Sequence, residues 1–107
     1  MAEVKEVRIL KDGTAVPDPC ILSKTGKDGL PKRANWVADD KEHDFHVTFE
    51  KESPFKKKLF IVSNGGPEPS DDIRAEVKTE PEGTHYEYKV ESKARAIAAD
   101  PEVIIRN

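Results

Sequence analysis

A chain of 107 residues has room for one hydrophobic core and buries about two-thirds of its unfolded surface, so one domain over 1–107 is expected. Its 21 acidic and 18 basic residues are interspersed and sum to a net charge of −3, so no positive field exists to gather phosphates, which argues against nucleic acid as a partner. No apolar run approaches the ~20 residues of a membrane-spanning helix, which argues against a membrane partner.

The start, Met1-Ala2-Glu3-Val4-Lys5-Glu6, lacks the apolar centre of a secretory leader, so a soluble cytoplasmic protein is expected. A periplasmic or extracellular chain already trimmed of its leader would read the same way. Cys20 is the only cysteine, which forbids an internal disulfide and removes any thiolate cluster for structural zinc. One Trp, two Tyr and four Phe fall in alternating runs rather than polar tracts, which supplies the apolar area a fold needs against chain entropy.

In chain order, Val7 and Ile9 alternate with Arg8 ahead of Lys11-Asp12-Gly13, the pattern of a half-buried strand entering a turn. Pro17 and Pro19 lack the ladder donor, so the segment 17–22 belongs on a sheet edge. Cys20 reads as a small core residue there, since Asp18 beside it has the wrong sign to activate a thiol. Residues 24–32 carry Gly26, Gly29 and Pro31 and form a loop without phosphate-binding spacing. Ala34 and Trp36 then share one strand face, and Trp36 is the expected core anchor.

The stretch from Trp36 to Phe55 reads as a central hairpin. Phe45, Val47 and Phe49 recur at period two and point inward, sending His46, Thr48 and Glu50 to the other face. Phe55 is expected to tuck back as a plug. Leu59-Phe60-Ile61-Val62 is apolar on both faces and so is expected in the middle of a sheet or at a covered position, with Lys56-Lys57-Lys58 as a solvated gatekeeper. After the Asn64-Gly65-Gly66 turn, Ile73, Ala75 and Val77 alternate with charges and predict a strand. Tyr86, Tyr88 and Val90 alternate with Glu87, Lys89 and Glu91 and predict another, tyrosines inward. Residues 92–100 are alanine-rich enough for a short helical turn, Pro101 stops it, and Val103-Ile104-Ile105 makes a last strand. Seven or eight short strands with turns every ten or so residues predict an all-β, two-sheet Greek-key β-sandwich.

The run WVADD, a polar turn, then HVTF followed by SPF resembles the first-histidine region of cupredoxins. Tyr86–Val90 followed by Pro101–Ile105 is similar to the final strand pair of plastocyanin-like members. Together these cover roughly residues 32 to 107 and imply a cupredoxin-like sandwich. The resemblance also implies a copper site of two histidines, a cysteine and usually a methionine, with His46 as the first ligand. The cysteine belongs at or just after Val90, yet 90–100 holds no cysteine, histidine or methionine. The type 1 copper ligands are therefore lost, and a cysteine placed at Val90 is expected to lie next to His46.

His43 and His46 stand three apart, on opposite faces of a regular strand. Were 40–44 a turn, His43, Asp44 and His46 could converge on a divalent ion, although two imidazoles without a fixed third ligand hold zinc poorly. His85 reads as solvent-facing. No G-x-S-x-G motif exists, a Ser–His–Asp triad needs arbitrary choices among scattered serines, and Asp39-Asp40 and Asp71-Asp72 are turn residues. The expectation is a copper-free cupredoxin-like protein, not an enzyme and without a cofactor. It would act as an interaction module toward a protein partner, as a monomer or a weak dimer through an edge strand near 17–22 or the final strand. The alternative is a metal-binding or electron-transfer protein with a non-standard site at His46 and His43.

Overall fold

The alternating runs become strands whose apolar faces meet in one core. The computed structural model describes residues 4–26, 29–79, 83–92 and 101–106. Its strands are β1 (Val4–Ile9), β2 (Ala15–Val16), β3 (Cys20–Ser23), β4 (Arg33–Ala38), β5 (Phe45–Thr48), β6 (Leu59–Val62), β7 (Glu68–Pro69), β8 (Thr84–Glu87), β9 (Lys89–Ser92) and β10 (Glu102–Arg106). The fold is all-β, built of several sheets and no barrel. The helical turn expected within 92–100 lies outside the described residues, apart from Ser92, which ends β9.

Three sheets form, in the orders β2-β1-β4-β7, β3-β10-β8 and β6-β5-β9. The pairs β1/β4 and β3/β10 are parallel and the others antiparallel. Prolines 17 and 19 separate β2 from β3, and without ladder donors there the chain leaves one sheet's edge and joins the edge of another. Strands β8 and β9 are one run interrupted at Tyr88, whose N–H donates to the Pro101 carbonyl at 3.0 Å in register with the β8/β10 ladder, while Pro101 has no N–H to return the bond. That break, with the two-residue strands β2 and β7, is why ten strands stand among the described residues where seven or eight were expected.

The core follows the alternation. Phe45, Val47, Phe49, Tyr86, Tyr88 and Val90 are all buried, as are Val7, Ile9, Ala34 and Leu22. Trp36, fully buried, is the hub: its ring lies 6.4 Å from Phe49, 6.2 Å from Phe55, 5.0 Å from Phe60 and 5.9 Å from Tyr88. Most of these contacts are edge-on, the arrangement that a ring quadrupole favours. Phe55 fills the plug position expected of it, at 1% exposure.

Four expectations are overturned. Trp36–Phe55 is not a hairpin, because β4 is flanked by β1 and β7 and β5 by β6 and β9, so each has both edges filled by other strands. Ile73–Val77 is not a strand. Ile73 makes one isolated bridge to Phe55, and the Val77 N–H turns back to the Arg74 carbonyl. The carbonyls of Ala75 and Val77 are taken instead by the Lys24 ammonium, at 2.7 Å each, and a chain satisfied that way needs no partner strand. Strand β10 lies between β3 and β8, so the final strand has no open edge for a dimer. Strand β6 is an edge rather than a covered strand, and Leu59 and Ile61 are exposed at 43% and 41%.

Candidate functional site: the outer face and open edge of the β6-β5-β9 sheet

Strand β5 presents His46 and Thr48 outward because Phe45 and Val47 face the core. In register, His46 stands between Ile61 of β6 and Glu91 of β9. His43 belongs to the preceding turn, and its Nδ1–H donates to Asp40 Oδ2 at 2.8 Å. That contact, helped by the Glu42 N–H, holds the Asp40 carboxyl below the usual carboxylate range. Among the described residues, no three His, Cys, Asp or Glu side chains converge as a group able to hold a metal ion.

Val90 pairs with Val47 and is fully buried, whereas His46 pairs with Glu91 on the outer face. A cysteine at Val90 would therefore put its sulfur on the face opposite the imidazole, not next to it, because adjacent residues of a strand point to opposite sides. Cys20 is buried beside Val103 in register, and burial pushes its thiol up to about 11 against the opposing charge of Lys5. A thiol that reluctant to ionise is a core residue.

Where the chain breaks at Tyr88, the β3-β10-β8 and β6-β5-β9 sheets part and leave a groove of about 470 Å³. On its wall from the β3-β10-β8 sheet His85 and Glu102 meet at 2.6 Å, and on its wall from the β6-β5-β9 sheet Lys89 and Glu50 meet at 3.1 Å. Lys51, Glu52 and Glu87 also line the groove, so its lining is mixed in charge with acids in excess, and the two exposed pairs stabilise it little.

The open edge of β6 is different. The Phe49 N–H donates to the Lys58 carbonyl at 2.8 Å, so the bonded pairs of this antiparallel ladder are 58 with 49, 60 with 47 and 62 with 45. The N–H and C=O groups of Leu59 and Ile61 consequently point away from β5, to the side where no strand follows among the described residues. Both their side chains and their backbone groups face outward. Lys57 is engaged, with Glu68 at 3.9 Å and over the Phe60 ring at 5.1 Å. Lys56 and Lys58 are exposed and have no carboxylate partner among the described residues. Sequence reading missed this edge because a run apolar on both faces does not say which face is covered. The lysines before it and Ser63-Asn64-Gly65-Gly66 after it were the available signal of a short, marginal strand. The chain matches no family model, no curated protein and no solved structure.

Proposed function

We propose that this protein is a copper-free, cupredoxin-like β-sandwich that acts as a non-catalytic interaction module, taking a protein partner along the free edge of β6. The two-layer reading is supported by the run β8–β9, which links two sheets into the order β3-β10-β8/β9-β5-β6 opposite β2-β1-β4-β7. The chain passes repeatedly between those layers, as Greek-key connections do. The copper-free reading rests on the sequence 90–100, which lacks thiolate, thioether and imidazole.

The observation that carries the interaction role is the edge itself. Leu59 and Ile61 combine exposed apolar side chains with backbone groups that no strand among the described residues pairs, and such an edge is a template for another strand. Peptide selection from a random library on the immobilised protein tests it. Selected sequences should be extended and alternately apolar, and should lose binding to Ile61→Pro. Selection of peptides that bind Ile61→Pro equally well would place recognition elsewhere.

A further inference from the structure

We infer that the partner segment of β6 is an acidic strand, running antiparallel to β6 with apolar residues opposite Ile61 and Leu59 and carboxylates at its C-terminal end. This deepens the edge-binding reading and rests on it. The direction follows from geometry. Leu59 and Ile61 turn both N–H and C=O outward, so an incoming antiparallel residue opposite either exchanges two hydrogen bonds with it. Its side chain then lies on the same face as Leu59 and Ile61 and covers apolar surface that is 43% and 41% exposed.

The charge follows from what precedes β6. An antiparallel segment leaves β6 alongside 56–58, where Lys56 and Lys58 extend without carboxylate partners among the described residues. Lys58 reaches only a backbone carbonyl, that of Lys51, at 3.5 Å. Carboxylates arriving there would pair with cations that no acidic side chain among the described residues neutralises. A parallel segment would bring only its N-terminal end to the lysines and would lose the two-bond exchange.

Neither strand repulsion nor self-pairing accounts for this edge as well. If the lysines served only to keep strands away, they would stand within the exposed face, as edge-protecting charges do, yet that face is Leu59 and Ile61. If a second copy paired β6 with β6, the lysines of one chain would run beside Ser63-Asn64-Gly65-Gly66 of the other, which offers no carboxylate. A four-residue edge also falls well short of the roughly 1,200 Å² that a stable dimer needs.

The test uses three labelled synthetic peptides and fluorescence anisotropy. The first reads Ser-Val-Thr-Val-Thr-Glu-Asp-Glu, the second replaces its three acids with lysine, and the third moves the acids to the N-terminus. The first should bind at least about tenfold more tightly than the others, and this preference should vanish in Lys56→Ser/Lys58→Ser and at high salt. Its binding should be lost in Ile61→Pro, which removes only an outward N–H and leaves the β5 ladder intact. Leu59→Ser/Ile61→Ser, which removes the apolar cover and adds no charge, is expected to weaken the same binding should the proline variant fail to fold. Equal binding of all three peptides at β6 overturns the acidic-strand inference while the edge reading stands. Binding of none of them at β6, with amide shifts absent from Leu59 and Ile61, overturns both.

Discussion

Trp36 and Tyr88 meet edge-on in the centre of the core, ring centroids 5.9 Å apart and planes at 75°, and neither the indole N–H nor the phenol O–H has a hydrogen-bond partner. The rings stabilise the core while their polar tips do not. Burial raises the Tyr88 phenol above its ordinary value, outweighing the nearby indole, which falls outside hydrogen-bond geometry. A buried hydroxyl without a partner carries its desolvation cost uncompensated.

Tyr88→Phe is therefore expected to match the parent protein within about 1 kcal/mol or to exceed it, because it deletes only the unpaired oxygen. Trp36→Ala should lose about 3–5 kcal/mol, since it empties the hub of four ring contacts. Urea denaturation of both variants measures the contrast. A large loss in Tyr88→Phe would mean that the hydroxyl is satisfied in solution.

Alkaline stability should depend on Cys20. The unfolded thiol begins to lose its proton near pH 9.0, whereas the folded one keeps it to about 11. Its contribution is thus present in full below pH 9.0 and lost as pH climbs toward 11, with a slope of up to about 1.4 kcal/mol per pH unit. Tyr88, also raised by burial, acts in the same direction at higher pH. Unfolding midpoints measured across this window should fall less steeply in Cys20→Ala than in the parent protein. Parallel slopes would show that Cys20 ionises in the fold without penalty.

Gly66 and Gly29 separate two costs of replacing a glycine. Both hold left-handed backbone, φ 82° and 74°, but a Cβ at Gly66 would lie 2.7 Å from the Trp36 carbonyl oxygen, while one at Gly29 meets nothing within 4 Å among the described residues. Gly29→Ala should cost about 1–2 kcal/mol from conformation alone. Gly66→Ala should cost at least about 1 kcal/mol more, because the clash pushes against β4 where it pairs with β7. Thermal unfolding of the two variants gives the difference directly.

Copper should bind without the intense blue colour of a type 1 site. That colour needs a thiolate with two imidazoles, and Cys20 is buried in a β3/β10 pairing while His46 faces out from β5. Titration with Cu(II), followed by visible absorption and electron paramagnetic resonance, should give weak tetragonal signals from surface imidazoles. Val90→Cys should not change this, because its sulfur would enter the core. A strong thiolate charge-transfer band in either protein would reverse the ligand argument.

What the amino-acid sequence determined by itself was which face of each strand is buried. Phe45, Val47 and Phe49, then Tyr86, Tyr88 and Val90, announce their side through a two-residue period, and Trp36 declares itself through the face it shares with Ala34. Which strand lies beside which was not legible, because alternation records a face and never a neighbour. Only tertiary pairing put β4 and β5 in different sheets, closed β10 between β3 and β8, and left β6 outermost. The segment 73–77 had the right alternation too, but the Lys24 ammonium satisfied its carbonyls before any strand did. For Leu59-Phe60-Ile61-Val62 the period was silent, since all four residues are apolar. There the register with β5 chose Phe60 and Val62 for the core and turned Leu59 and Ile61 to the open edge.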